Sequence, residues 1–434
     1  MFKVYPEIFR AYDIRGRYSK EIDADFALRF GYWFPQILSQ MKKIRGRGMV
    51  NILVASDSRD ESGILKSNLV RGLLINDISV IDIGKASTPM FYFAIKKNKA
   101  DFGVMVTASH LSDEYAGLKI CDLDLKAITG YDFKKYLSFF RRQFILLPIL
   151  GQLSRFNLID EYVDFISEKI KFSKLERLYW RKKKIFISSE SEVIREIIKK
   201  LFNRIGLNFK WGQSGYTGAS VIFDEDGDRV NVLDKNQKII GGDVIGAIIL
   251  EYLLRSRRGG GVVVDERSTR LIWEIAERFK SHVYYSPVGH NFFQREMQKR
   301  RALFGIEKSG HYYWRDFFGV DSGIFSFMKI LQAVVFFKKD LSVLFRDYKK
   351  YFDTPEQNFR VKNIKKKISL VENKFRPLAL KISKLDGLTM DFGKWRFNLR
   401  PSRTESFLRL NIEAASQKIL QEQTMVLKKI IKRG

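Results

Sequence analysis

The stretch VIFDEDGDRVNVLD sets Asp224, Asp226 and Asp228 at alternate positions between two apolar runs. Carboxylates at i, i+2 and i+4 in a turn can converge on one cation, and three hard oxygen donors suit Mg2+. Packed so closely without a cation they would repel one another. The loop is not an EF-hand. Counted from Asp224, its sixth and twelfth positions carry Arg229 and Lys235, where that loop needs glycine and glutamate. A polar hairpin is the plain alternative.

Upstream, VMVTASHLSDEYAGLKI puts Ser109 beside His110 straight after an apolar run. Neighbouring side chains of an extended segment point to opposite faces, so His110 is badly placed to act as the base for Ser109. The G-x-S-x-G elbow is missing too, since Thr107 and Leu111 stand at its glycine positions. A Ser-His-Asp hydrolase loses ground, and a strand-end serine taken alone is more often structural than catalytic.

Two further clusters read as ligand grips. GIEKSGHYYW carries Glu307, Ser309 and His311 at alternate positions, an arrangement that projects three polar side chains to one side and suits sugar hydroxyls. FNLRPSRTESFLRLNIEA offers Arg400, Ser402, Arg403 and Thr404 within five residues. Guanidinium groups, hydroxyls and turn amides make a phosphate clamp, with arginine supplying bidentate geometry. A basic solvated turn weighs equally on these residues alone.

These residues need a scaffold, and the hydrophobic pattern supplies one. NILVASD reads as a strand, GILKSNLVRGLLIN as a helix, ISVIDIG as a strand, PMFYFAIKKN as a helix and DFGVMV as a strand. Such a series predicts a mainly parallel sheet with its working loops at strand C-termini, where Ser109 falls. A second series runs from RKKKIFISS to ASVIFDEDGDRVNVLD, and a third from GGDVIGAIILEYLLRS to RALFGIEKSGHYYW. From about residue 350 strands lead and one long helix closes the chain, so the tail reads as α+β.

With 434 residues, two to four domains are expected, and 45% hydrophobic content is enough to give each a core. The lone cysteine, Cys121, excludes an internal disulfide and points to a reducing compartment. The N-terminal stretch lacks an apolar signal core, and no apolar run approaches the roughly 20 residues that cross a bilayer. GIFSFMKILQAVVFF comes nearest, but Lys329 interrupts it, and a buried helix is expected there. A cytoplasmic, membrane-free protein follows as the expectation. The net charge of +29 raises nucleic-acid binding. Its positives are scattered over RRQF, RLYWRKKK, KNIKKK and LKKIIKRG without a recognisable module, so that is not expected as the main function. A basic surface also attracts small phosphorylated anions.

Taken in order, FRAYDIRG, VTASH, DEDGDR, PVGH, EKSGHYYWRDFFGVDSG and RPSRTESFLRLNIEA resemble the α-D-phosphohexomutase superfamily, most closely its bacterial phosphomannomutase/phosphoglucomutase branch. The resemblance spans essentially the whole chain. It implies three tandem α/β domains with mixed or parallel sheets (1–148, 149–238, 239–345) and a C-terminal α+β domain (350–434) around a central active-site cleft. It implies that Ser109 is a phosphoserine exchanging its group with a hexose 1- or 6-phosphate through a bound 1,6-bisphosphate. It also implies that Mg2+ is held by Asp224, Asp226, Asp228 and the Ser109 phosphate. Glucose or mannose 1,6-bisphosphate would be the activator, and small sugar phosphates the partners of a monomer or dimer.

By the same resemblance Arg15 and Lys119 act in proton transfer or stabilise the transferring group, with Tyr12, His110 and Arg229 lining the site. Glu307 and Ser309 match a pair that binds sugar hydroxyls, and His290 and His311 fall near substrate. Arg400, Ser402, Arg403 and Thr404 match the grip on the phosphate that is not being transferred. Several positions depart from the family pattern: Leu111 and Ser112 replace Asn-Pro, Arg403 and Ser406 change the phosphate loop, Arg267 stands for a lysine and Lys308 for a common methionine. The RDF…DSG stretch and the RPS-x-TE loop favour mannose and glucose phosphates. Phosphoglucosamine mutase, or a catalytically altered member of the fold, is the alternative.

Overall fold

In a computed structural model the described residues are 3–44, 49–109, 112, 114–143, 148–213, 218–256, 259–402 and 407–432. His110, Arg403 and Thr404 lie outside them, as do Leu111 and Ser406. Among the described residues the strands fall into four sheets. The chain divides into two compact units, one of Met1–Gln213, Val221–Val230 and Val320–Met328, the other of Ser214–Ser220, Asn231–Gly319 and Lys329–Gly434.

The expected alternating series appears in the first unit as Val50–Ser56, Asp60–Leu74, Ile78–Lys85, Thr88–Asn98 and Phe102–Val106. Its three strands are neighbours and parallel. After Phe102–Val106 only eight residues precede Tyr115–Asp122. That is too short for a parallel crossover, so this strand returns antiparallel, with Met105 opposite Lys119. Ile14–Arg17 adds antiparallel beyond it, and Gln152–Arg155 adds parallel to Ile78–Lys85 at the far edge. The sheet is therefore mixed.

Helices Ala24–Gln40 and Asp60–Leu74 pack face to face. A Cβ on Gly31 would lie 2.2 Å from the Leu69 carbonyl oxygen, and one on Gly72 would lie 2.1 Å from that of Leu28. Only glycine permits so close a crossing. Below it Phe9, Phe26, Phe30, Phe34, Phe133 and Phe140 are fully buried. Burial of each such side chain is worth about 1.5–3 kcal/mol relative to exposure. A second sheet contains Lys184–Ser188 and Gly218–Phe223, whose end launches the acidic loop.

In the second unit Val283–Ser286, Val262–Asp265 and Phe304–Ile306 run parallel. Tyr312–Trp314 folds back antiparallel on the last of these through the five-residue sugar-loop segment. The C-terminal sheet orders Phe352–Asp353, Leu408–Ala414, Trp395–Pro401, Leu388–Asp391 and Lys381–Ser383, all antiparallel. Gln357–Phe359 also pairs with Leu408–Ala414. The expected closing helix is Gln417–Lys432, and a helix unforeseen from the sequence, Ile364–Phe375, precedes most of the strands. The α/β expectation holds.

Strand alternation in this last sheet sorts two faces. Phe397, Leu399, Leu408, Leu410 and Ile412 form the core side, while Arg396, Asn398, Arg400, Arg409, Asn411 and Glu413 share the other. GIFSFMKILQAVVFF forms the helix Gly323–Phe337, buried through Val334. The buried Lys329 donates to the Gln332 side-chain oxygen at 2.9 Å. Among the described residues no helix is long and apolar enough to cross a membrane.

Candidate active site

Ser109 lies just past the strand Phe102–Val106, buried and with φ +55°. A non-glycine residue rarely adopts this left-handed region, and such strain persists only where the surroundings enforce it. Here the Ser109 amide donates to Thr107 Oγ1 at 2.9 Å, and Arg59 Nη2 donates to the Ser109 carbonyl at 2.8 Å. The hydroxyl reaches Asp226 Oδ1 at 3.4 Å.

The acidic loop turns at Gly227, whose φ of +71° suits glycine. Asp226 is wholly buried, and its Oδ2 accepts from Lys119 Nζ at 2.6 Å and from Thr88 Oγ1 at 2.9 Å. Lys119 also donates to Asp228 Oδ2 at 2.8 Å. Asp224 receives the Arg229 amide at 3.1 Å, and Arg229 Nε lies 2.9 Å from Asp224 Oδ2. Burial opposes the charge on Lys119, but Asp226 and then Asp228 outweigh it and hold the ammonium well above its usual range.

Asp224, Asp226 and Asp228 each offer a carboxylate oxygen, and these lie within 4.8 Å of one another. Three hard donors of one sign at that spacing fit a divalent cation. Thr88, at the start of Thr88–Asn98, ties the loop a second time through its amide, which donates to the Asp226 carbonyl at 2.8 Å.

Arg15 sits on Ile14–Arg17 opposite Gly117, and its guanidinium pairs with Asp13. The Arg15 Nε is buried with no hydrogen-bond partner among the described residues. Tyr12 occupies the bend just before this strand, half-buried. Sequence reasoning passed over Asp57, Arg59 and Thr88. The first two follow the parallel strand Val50–Ser56, a place where working loops gather, and that signal was available. Burial pushes the Asp57 carboxyl up, while hydrogen bonds from Ser62 and Thr107 oppose the shift.

In the second unit the sugar-loop residues meet, though not as an extended strand. Residues 308–310 turn, and the Glu307 amide donates to the His311 carbonyl at 3.1 Å. The turn rather than strand alternation brings the side chains together, with His311 Nδ1 2.9 Å from Ser309 Oγ and 3.2 Å from Glu307 Oε2. Glu307 also accepts from the Gly289 amide at 3.3 Å and from the Tyr313 hydroxyl at 3.3 Å. His290 opens the helix His290–Arg300. Burial raises the Glu307 carboxyl, but the His311 hydrogen bond and the His311, Arg267 and His290 charges bring it down to about 2. It is an anion at any physiological pH.

Lys308 points out of the loop and donates to Asp353 Oδ2 at 2.7 Å. Arg267 binds Asp265 through Nε and Nη2, both at 3.0 Å, and reaches Glu356 through Nη1 at 3.5 Å. Arg400 is buried and donates to the same Glu356 at 2.8 Å, leaving its Nε without a partner among the described residues. Ser402 donates its amide to the Phe407 carbonyl at 2.8 Å. Glu356 was not foreseen from the sequence.

The family model described as phosphoglucomutase/phosphomannomutase, alpha/beta/alpha domain I, matches residues 6–130, and the corresponding model for domain III matches residues 241–351. A phosphomannomutase of Methanocaldococcus jannaschii is 31% identical over 98% of this chain and 97% of its own length. The chain belongs to the phosphoglucomutase/phosphomannomutase family. It is a phosphohexomutase, an enzyme of the isomerase class.

A solved phosphoglucomutase/phosphomannomutase family protein from Burkholderia thailandensis superposes with a TM-score of 0.84 at 24% identity, covering 100% of this chain and 99% of that one. A Thermus thermophilus structure described as a putative phosphomannomutase gives 0.80 at 18% identity, covering 99% and 100%. The domain I match contains Arg15, Ser109 and Lys119, and the domain III match contains Arg267, His290, Glu307, Ser309 and His311. The acidic loop and the C-terminal arginines fall outside both matched segments.

Proposed function

We propose that this phosphohexomutase interconverts the 1- and 6-phosphates of mannose, glucose or both, through a phosphoserine at Ser109 and a bound 1,6-bisphosphate. The observation that carries the reading is the Ser109 hydroxyl 3.4 Å from Asp226, inside a carboxylate cluster that Lys119 bridges. In the first half-reaction a sugar hydroxyl oxygen forms a bond to the Ser109 phosphorus as the Ser109 Oγ–P bond breaks, and the hydroxyl proton ends on the freed Ser109 Oγ. In the second half-reaction the other phosphate of the bisphosphate returns to Ser109.

Asp224, Asp226 and Asp228 would hold Mg2+, which supplies charge neutralisation for the transferring phosphoryl group. Lys119, held as an ammonium by Asp226 and Asp228, and Arg15 steady that group with positive charge, and Tyr12, His110 and Arg229 complete the surroundings. Glu307, kept ionised, accepts from sugar hydroxyls with Ser309, His290 and His311 beside it. Arg400, Ser402, Arg403, Thr404 and Arg267 take the phosphate that stays on the sugar. The division into four domains at 1–148, 149–238, 239–345 and 350–434 is part of the same reading, as are a cytoplasmic location and activation by a hexose 1,6-bisphosphate.

A phosphorus NMR time course tests this. Mannose, glucose and glucosamine 1-phosphates are offered separately with Mg2+ and a trace of glucose 1,6-bisphosphate. The expected result is growth of a 6-phosphate signal with the first two sugars, absent in Ser109→Ala. Conversion of glucosamine 1-phosphate alone would overturn the sugar assignment, and undiminished turnover by Ser109→Ala would overturn the mechanism.

A further inference from the structure

Of the groups assigned to the non-transferred phosphate, Arg400 and Arg267 share one counter-charge, the Glu356 carboxylate. We propose that Glu356 is the positioning residue of the phosphate grip, gathering Arg400, Arg409 and Arg267 around one carboxylate and so fixing where Arg400 meets the phosphate. The proposal rests on the mutase reading above.

The placement follows from strand register. Gln357 pairs with Leu410 on Leu408–Ala414, which sets Glu356 beside Asn411. Arg409 and Asn411 are two apart on that strand and share its polar face, and Arg400 lies directly opposite Arg409 on Trp395–Pro401. Glu356 Oε2 accepts from Arg400 at 2.8 Å, Asn411 at 3.1 Å and Arg267 at 3.5 Å, while Oε1 accepts from Arg409 at 3.0 Å. Donors from three separate stretches of chain therefore meet on one side chain.

Three guanidinium groups this close repel one another, and burial and the Arg267 charge both press Arg400 toward its neutral form. Glu356 supplies the opposing attraction. Asp265 accepts two hydrogen bonds from Arg267, which also lies 3.9 Å from Glu307, so Arg400 and Arg409 are the two cations left facing the single Glu356 carboxylate. The buried Arg400 Nε, without a partner among the described residues, is a donor of the right kind for a phosphate oxygen. Glu356 keeps about a quarter of its side chain exposed, so this carboxylate lies at a rim and not in the core.

The test compares wild type with Glu356→Gln and Glu356→Asp. Binding of inorganic phosphate is measured by calorimetry, which needs no turnover, together with KM and kcat for glucose 1-phosphate and the thermal melt. We expect Glu356→Gln to weaken phosphate binding about 10-fold and to raise KM by a similar factor, with kcat within about 3-fold of wild type. Glu356→Asp keeps the charge and recovers part of the loss. Phosphate binding by folded Glu356→Gln equal to or tighter than wild type would overturn the proposal, as would no phosphate binding by wild type. If Glu356→Gln does not fold, Glu356→Asp decides: a loss of about 3-fold or more, from its shorter reach, supports the proposal, and wild-type affinity overturns it. Phosphate binding that falls in Glu356→Gln while wild type converts no hexose phosphate would sink the mutase reading and leave the positioning role standing.

Discussion

Around Lys119 carboxylates hold the majority, whereas around Glu356 the guanidiniums do. Asp224, Asp226 and Asp228 face two cations, Lys119 and Arg229, and retain negative charge for a metal ion. Arg267 is met by Asp265 and Glu307, while Arg400 and Arg409 face the single carboxylate of Glu356. The backbones differ as well. In the first cluster Ser109 and the carboxylates stand on loops at strand ends, with Ser109 at φ +55° and Gly227 at +71°, while Lys119 reaches them from the strand Tyr115–Asp122. In the second, Arg400, Arg409 and Asn411 lie along antiparallel strands, with Glu356 just before Gln357–Phe359 and Arg267 in the turn after Val262–Asp265. On the proposed mechanism the loop-borne Ser109 meets the reacting group, while Arg400 and Arg409 are spaced by strand alternation on one face.

Breaking the first cluster has the larger effect. Ser109→Ala removes the oxygen proposed to carry the phosphoryl group, and turnover in the NMR assay is expected to fall by about 1,000-fold or more with an unchanged melt. Lys119→Met leaves Asp226 and Asp228 buried without their cation, which costs about 3–5 kcal/mol of stability. Added Mg2+ should then raise the melting temperature of Lys119→Met more than that of wild type. An equal Mg2+ response in both proteins would deny that the three carboxylates hold the ion.

The second cluster gives smaller effects of a different kind. Arg400→Ala is expected to raise KM for glucose 1-phosphate about 10- to 100-fold while changing kcat little. Unchanged KM and turnover would remove Arg400 from the grip. Acid gives the mildest test. Burial raises the Glu356 carboxyl, but Arg400 and Arg267 bring it down to about 2, and Glu307 is likewise near 2. Both ordinarily titrate near 4.5, so between 4.5 and 2 the unfolded chain binds more protons than the folded one. Their stabilisation is fully present above that window and is lost as pH falls through it. Melting temperature should drop from pH 5 to pH 3, and less steeply in Glu356→Gln; equal slopes would contradict the role of the arginines.

The two regions also differ in how far the sequence disclosed them. The acidic loop was legible because its three carboxylates lie within five residues, and Ser109 because it ends an apolar run. Lys119 is next to Ser109 only through the antiparallel return of Tyr115–Asp122, and the motif resemblance supplied it. Thr88 and Arg59 were missed because each meets its partner far along the chain, Thr88 at Asp226 and Arg59 at Ser109. The arginine face carried a signal that was overlooked. RFNLR and RLNIE alternate polar with apolar residues at period two, which marks Arg396, Asn398 and Arg400 as one face and Arg409, Asn411 and Glu413 as another. That the two faces adjoin depends on register, and that Glu356 joins them depends on a three-residue strand, Gln357–Phe359, too short to read from pattern. Glu307, Ser309 and His311 do meet, through a turn where alternation along a strand had been expected.

The most direct measurement follows the phosphoryl group itself. The chain is incubated with glucose 1,6-bisphosphate, digested, and the Ser109 peptide weighed before and after addition of mannose 1-phosphate. A phosphoryl group on Ser109 that leaves as the bisphosphate of the added sugar forms is the predicted result. Turnover with Ser109 never phosphorylated, or with the group on another residue, would contradict it.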